Sequence, residues 1–383
     1  MSKTILYSIA FIALGLVVGS LGPTLPALAA NTQVEMKQIS HLFIARSLGT
    51  MLGSWLIGRW YDRIAGHPLM AASLLASAIT LALMPSATFL WALLALSTLM
   101  GMSTGSVNVG GHALIVLVHG ERVRPFMSTM HFAFGVGGLL SPMLVAQVIH
   151  RADGLQITYW TIGMLTLPAV ALSLLSRSPS LQAHEKSSLS TPLSGSIIIL
   201  FVIFFFLEIG VEAAIMGWYF SFAVESGVEP KSAAHMNSAF WAAFTLSRLA
   251  TIWLTIQFNA VSLVMMSLGI TVTIALIMLL IPTSPLILWT GAIGLGLSVA
   301  PIFPNTYGFA QRLLGLSGKV TGWFLIGSSA GSMFWPWLIG QFFKSIGPHV
   351  LMWVVMINLC GAIAIIALLM QRESRAVIVK GEG

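Results

Sequence analysis

Charge is what this sequence has least of. Only 8% of its 383 residues are charged, against 57% hydrophobic, whereas a soluble domain carries roughly 25% charged residues. So few ionised side chains cannot solvate a globular surface, and the chain reads as an integral membrane protein. Sustained alternation of apolar and polar residues is missing as well, which excludes barrel strands and leaves apolar helices as the means of crossing. A single cysteine, Cys360, lies in an apolar run, so neither an internal disulfide nor a cysteine metal cluster can form. No metal site is expected. Walker loops, dinucleotide fingerprints and HExxH are absent, and no soluble segment is long enough to hydrolyse a nucleotide. The chain is therefore not expected to be an enzyme or to need a cofactor, and any transport has to be driven by an ion gradient. The formal charge of +7 is scattered singly between apolar runs, which argues against nucleic acid as a partner and for a topology signal.

What is present is a series of long apolar runs. At roughly 20 apolar residues per crossing, twelve spans are expected, near 4–29, 40–58, 68–86, 89–117, 126–149, 156–176, 195–223, 233–256, 260–281, 285–311, 319–343 and 348–370. The first run, with its small-residue end at Ala27 to Ala30, also fits a cleaved leader. It is read as a span, because removing it leaves an odd number and breaks the repeat described below. The Ser-rich stretch from Arg177 to Pro192 separates two sets of six. The expected organisation is an N-terminal bundle 1–176, a linker 177–193, a C-terminal bundle 194–371 and a tail 372–383. Basic residues crowd the side that bears both termini (Arg59, Arg63, Arg122, Arg124, Arg177, Arg312 and Arg372 among them). Only Lys37, Arg151, Lys231 and Lys344 fall on the other side. By the positive-inside rule both termini are cytoplasmic. The chain is expected to be a monomeric multi-pass protein of a bacterial inner membrane, with lipid and a small-molecule substrate as its partners.

An internal repeat supports the division. The fifth span holds Gly137-x4-Pro142-x-Leu144-x2-Gln147 and the eleventh holds Gly331-x4-Pro336-x-Leu338-x2-Gln341, displaced by 194 residues. Recurrence in equivalent spans is the mark of a duplicated bundle. Glycine there permits close helix contact, and proline permits a bend.

Of the acidic residues, only Glu208 and Glu212 fall well inside a span. Four residues apart, they share one helical face, and an intramembrane carboxylate marks a functional site that needs a partner. Two cations lie within spans, Arg46 and Arg248. Arg46, ~9 Å from the outer end by helix rise, is expected to snorkel outward. Depth counting puts Arg248 within ~6 Å of the level of Glu208, which favours that pair and leaves Glu212 as the free carrier; the opposite pairing stays open. Desolvation disfavours the charged form of a carboxyl, the property a proton-coupling site uses. His131 is a further candidate for coupling. Candidate substrate contacts are Asn108, His112, Trp218, Asn237, Trp241, Asn305, Tyr307 and Trp323. The amides can both donate and accept, and the indoles can stack on a sugar face or anchor at the membrane interface.

The turn Gly58-Arg59-Trp60-Tyr61-Asp62-Arg63, continuing to Gly66 and His67, resembles the cytoplasmic signature loop of the major facilitator superfamily. The spacing after Asp62 is one residue longer, and the usual basic pair is reduced to His67. The resemblance implies that Asp62 and Arg63 form a conformational latch. The segments Met130 to Gly137, Gly210 to Trp218, Phe240 to Arg248 and Pro301 to Asn305 resemble a narrower group, the fucose/proton symporter branch with the sodium-dependent glucose transporter and MFSD4-like proteins. That likeness implies an all-α major facilitator fold of twelve transmembrane helices in two pseudo-symmetric six-helix bundles. It also implies a cavity lined by spans one, four, seven and ten, which gives weight to Asn108 and Asn305. The acidic residue that fucose symporters carry in span one has no counterpart here. The expected function is secondary transport of a small polar solute, a monosaccharide favoured, by proton symport through Glu212. Sodium coupling is the alternative, together with a proton-driven exporter of amphipathic compounds suggested by the many Met and Phe residues, and a scaffold or sensor that transports nothing.

Overall fold

A computed structural model describes residues 3–61, 63–179, 195–281, 284–314 and 318–381. No strand occurs among the described residues. The first half contains α1 (Lys3–Asn31), α2 (His41–Leu52), α3 (Gly66–Leu83), α4 (Leu90–His119), α5 (Val123–Val148) and α6 (Gly154–Leu175). The second contains α7 (Gly195–Glu225), α8 (Pro230–Gln257), α9 (Ala260–Leu280), a divided α10 (Pro285–Val299 and Ile302–Leu314), α11 (Gly318–Phe342) and α12 (Val350–Gly381). Ten of the twelve are long and apolar enough to cross a membrane unaided; α2 and α11 complete the set by packing. Large apolar side chains such as Trp91, Leu175, Ile256 and Leu280 are exposed around the bundle, as a surface solvated by lipid requires.

Two expected spans are interrupted. Span two leaves α-helical geometry at Gly53, passing through a π-helical turn (Gly53–Ile57) and a 3-10 turn (Gly58–Trp60). Here α2 lies backbone to backbone on α4: a Cβ at Gly49 or Gly53 would overlap the carbonyl oxygen of Thr98 or Met102. Span ten divides before Pro301, which has no N–H to donate and whose ring clashes with the preceding turn. The Leu297 carbonyl oxygen, which loses its helical donor at Pro301, accepts from Ser247 Oγ of α8 at 2.6 Å, and Asn305 Nδ2 donates to the Pro301 carbonyl oxygen at 2.7 Å.

The repeat has a structural meaning. A Cβ added at Gly137 of α5 would overlap the carbonyl oxygen of Ile12 on α1, and one added at Gly331 of α11 would overlap that of Phe206 on α7. Both the glycines and the carbonyls they face are displaced by the same 194 residues. Each set of six therefore locks its first helix onto its fifth through the backbone.

The two sets meet along α5 with α8 and along α2 with α11, and α1 also touches α7. The end opposite the termini, here the distal end, is closed. There Lys344 Nζ donates to Glu35 at 2.8 Å and His150 Nε2 lies 2.8 Å from Glu229. Gln341 Nε2 donates to Ser40 Oγ at 3.1 Å and to the Lys37 carbonyl oxygen at 3.2 Å, and Trp337 donates to His41 Nε2 at 3.4 Å. The Lys344 ammonium holds the Glu35 carboxyl below its usual range. The pair is thus intact above that range and is lost as pH falls through the lowered value. Glu35→Gln should loosen the distal end and speed labelling of a cysteine placed at Ser47, in a Cys360→Ser background, by an impermeant maleimide. The change should stay below about fivefold, because exposed ion pairs contribute little.

Of the expected linker, residues 180–193 lie outside the described residues, as does Asp62 of the expected latch. Arg63 is exposed in the turn after Trp60, with its backbone N–H on the Trp60 carbonyl oxygen at 3.0 Å.

Candidate transport site

The hairpin that joins α7 to α8 sets the relative height of the intramembrane charges. Gly227 adopts φ +92°, with Gly227 N–H on the Val224 carbonyl and Val228 N–H on that of Ala223, the bond pattern of a Schellman motif. Glu229 then caps α8 by accepting from the N–H groups of Lys231 and Ser232 at 3.1 and 3.0 Å, and Pro230 takes the first helical position, where its missing N–H costs nothing. This tight connection leaves little slack in how α8 returns beside α7.

Arg248 meets Glu212, not Glu208. Its Nη2 lies 3.9 Å from Glu212 Oε1, whereas both carboxyl oxygens of Glu208, a residue 1% exposed, are buried without a hydrogen-bond partner. This corrects the pairing favoured by depth counting. Helical side chains lean toward their own N-terminus. On antiparallel neighbours, Arg248 leans distally and Glu212 leans back toward it, so counting Cα levels misplaces both. The guanidinium rests over the Phe244 ring at 4.4 Å, and its Nε is buried without a partner.

A second polar unit faces this pair from the first half. His112 Nδ1 lies 2.8 Å from the Asn108 carbonyl oxygen, and its Nε2 lies 3.2 Å from Nε2 of His131. A carbonyl accepts only, so Nδ1 of His112 carries the proton; in the neutral ring Nε2 is then an acceptor, and His131 donates to it. Phe11 packs edge-on against both rings. His131 and Arg248 line one cavity of about 590 Å³ between the halves, together with Asn305, Thr245, Phe303 and Pro304. The cavity lies toward the end bearing the termini, beyond the closed distal contacts.

Other expected contacts fall elsewhere. Trp218 is wholly buried, packed between Phe43 and Phe343, with Nε1 donating to the Pro336 carbonyl oxygen at 2.8 Å. It neither lines the cavity nor anchors at an interface. Trp218→Phe should lower stability by roughly 1–3 kcal/mol, through the lost indole hydrogen bond and the smaller ring left in a packed site, as read by thermal unfolding in detergent, and should leave apparent solute affinity unchanged. Trp241 is equally buried and fills the notch above Gly138 of α5, and so serves the contact between halves. Asn237 is buried with its amide unpartnered, away from the cavity lining. Asn108 is exposed and contributes its backbone carbonyl to His112. Tyr307 shares a hydrogen bond with Thr321 at 3.1 Å, and Trp323 is exposed on α11. Arg46 does not snorkel: its Nη2 donates to the Val17 carbonyl oxygen at 3.2 Å, because α1 offers an acceptor inside the bundle. The cavity also takes in Ser128, Thr245, Thr251 and Thr255, which sequence reasoning passed over. Thr245 and Thr251 lie three residues either side of Arg248, a spacing that puts both on its face.

Two six-helix sets around a cavity that carries a few polar groups on a mainly apolar lining, closed at one end, define a polytopic membrane protein built like a secondary transporter. The chain belongs to the Major Facilitator Superfamily, whose family model matches residues 7–336. Among relatives, sodium-dependent glucose transporter 1 of Xenopus laevis is 28% identical over 352 residues, covering 84% of this chain and 72% of that one. The Homo sapiens protein of the same name is 28% identical over 370 residues, covering 86% and 71%. Major facilitator superfamily domain-containing protein 4A of Mus musculus is 23% identical over 448 residues, covering 91% and 88%. A solved D-xylose–proton symporter superposes with a TM-score of 0.79 at 13% identity, each chain covered to 96%. The nucleoside transporter NupG does so at 0.77 and 15%, covering 96% of this chain and 99% of that one. At such identities the superpositions establish the fold.

Proposed function

We propose that this protein moves a monosaccharide-class solute across the membrane by alternating access, in symport with a proton carried by Glu212. The observation that carries the reading is the Glu212–Arg248 pair beside a cavity between the two halves, at 3.9 Å. At that separation the carboxyl makes no close charge-assisted bond to the guanidinium, so it can take up a proton without breaking one. Glu212 is 16% exposed at its side chain and can exchange a proton, whereas Glu208 is sealed from solvent. The names of the glucose-transporting relatives support a sugar as cargo. The same names favour a second reading in which sodium is the driving ion.

No catalytic role is assigned to any residue, and a single chain supplies both halves of the path. The excess of basic residues at the end bearing the termini supports placing that end in the cytoplasm of a bacterium, across its inner membrane. On that placement the closed distal end makes this an inward-facing state. The test is uptake of labelled monosaccharides into proteoliposomes under an inward proton gradient or an inward sodium gradient, each imposed alone. Accumulation driven by the proton gradient is expected. Accumulation driven by sodium alone would replace the proton reading, and no accumulation under either gradient would overturn transport.

A further inference from the structure

The charge of the cavity is one-sided. Among its described lining residues the ionisable groups are His131 and Arg248, and no carboxylate lines it. The remaining polar lining is hydroxyl and amide, from Ser128, Thr245, Thr251, Thr255 and Asn305.

Arg248 is also underused. A guanidinium carries five N–H donors, and charge-assisted bonds to carboxylates run to about 2.7–2.9 Å. Its approach to Glu212 at 3.9 Å is an ion pair without such a bond, Nε has no partner, and the Phe244 ring at 4.4 Å accepts none of the fork's bonds. The titratable groups around it are Glu212 and Glu208 on α7, His131 on α5 and, behind His131, His112 on α4.

We propose that the solute is a sugar acid, whose carboxylate is held by the Arg248 guanidinium when Glu212 is protonated. This rests on the monosaccharide reading above and narrows it. When Glu212 takes a proton it ceases to neutralise Arg248, and an uncompensated cation inside a helical bundle is unfavourable. A carboxylate on the solute restores the balance and matches the planar fork of arginine in a two-bond grip. A neutral hexose supplies hydroxyls and leaves the charge standing. When Glu212 releases its proton it reclaims Arg248, and the solute is displaced. Proton and solute therefore bind together and leave together. The single cation limits the ligand to one negative charge, since the two histidines face each other through one hydrogen bond in their neutral forms.

The stoichiometry has an electrical consequence. One proton moving with one monoanion transfers no net charge, whereas a proton moving with a neutral sugar transfers one positive charge per cycle. The test uses the full chain in proteoliposomes with labelled D-glucuronate and labelled D-glucose side by side. A pH gradient is imposed with and without a potassium diffusion potential, inside negative. D-glucuronate is expected to accumulate at a rate the potential does not change, with D-glucose competing only at much higher concentration. Arg248→Lys should weaken D-glucuronate binding by roughly tenfold or more, since it keeps the charge and loses the fork. Thermal unfolding of that variant in detergent separates a lost contact from a lost fold. Accumulation of D-glucose with no uptake of or competition by D-glucuronate, or uptake accelerated by the potential, overturns the sugar-acid assignment and leaves sugar transport standing. Failure of both solutes under every gradient overturns transport and the assignment with it.

Discussion

Glu212→Gln is expected to abolish uphill transport while leaving solute exchange in place. Glutamine copies the protonated acid in shape and charge but cannot release a proton, so the carrier keeps its solute-binding form on both sides of the membrane. One pH unit is worth about 1.4 kcal/mol per proton, so a one-proton symporter concentrates its solute about tenfold across such a gradient. The variant should bring that ratio to about one. Counterflow, in which labelled solute outside exchanges for unlabelled solute inside, needs no proton release and should persist. Full accumulation by the variant would remove Glu212 as the carrier. Glu208→Gln serves as the comparison. Its carboxyl is buried without a partner one helical turn away, and on the present reading it takes no part in proton exchange, so accumulation should remain.

The second large effect concerns stability. Gly137→Ala and Gly331→Ala each place a methyl carbon onto a carbonyl oxygen of the helix opposite, that of Ile12 or Phe206. A backbone oxygen cannot turn aside as a side chain can, so the helices have to separate along their length. Overpacking of this kind costs about 1–3 kcal/mol, occasionally more. Both variants should unfold at clearly lower temperature in detergent than the parent, or fail to accumulate as folded protein. Gly269→Ala and Gly308→Ala are the controls. Nothing lies within 4 Å of a Cβ at either position, and alanine is the better helix former by up to ~1 kcal/mol. Those two should be neutral or slightly stabilising, and equal losses at all four sites would show that close approach is not what the repeat glycines serve.

Much of the architecture is legible in the sequence because the thickness of hydrocarbon sets the length of a span and a buried backbone has to be helical. The breaks are less so. Pro301 is visible as a breaker, and Gly49-x3-Gly53 with Gly101-x3-Gly105 is the small-residue spacing of the close α2–α4 contact, but the π-helical turn at Gly53 has no such sign. The site is legible in kind and less so in pairing. Glu208, Glu212 and Arg248 stand out because charge is so rare, yet the partner of Arg248 depends on which way side chains lean. His112 and His131 are 19 residues apart on different helices, and only the fold brings their rings together. Trp218 and Trp241 stand out as sugar-stacking candidates by residue type, but both are enclosed by packing, a property of neighbours rather than of tryptophan.

The glycines of this protein play two different parts. Inside each bundle they bring backbone onto backbone, at Gly137 with Ile12 and at Gly331 with Phe206. Across the bundles Gly22 of α1 also meets a backbone oxygen, that of Met216, but Gly217 faces the ring of Phe43, Gly138 that of Trp241 and Gly135 the side chain of Thr245. A bulky group resting in a shallow notch can lift straight out, with nothing to unthread. Mechanically, much of the joint between the two sets is of this ball-and-socket kind, and a rocking motion is the movement such contacts resist least.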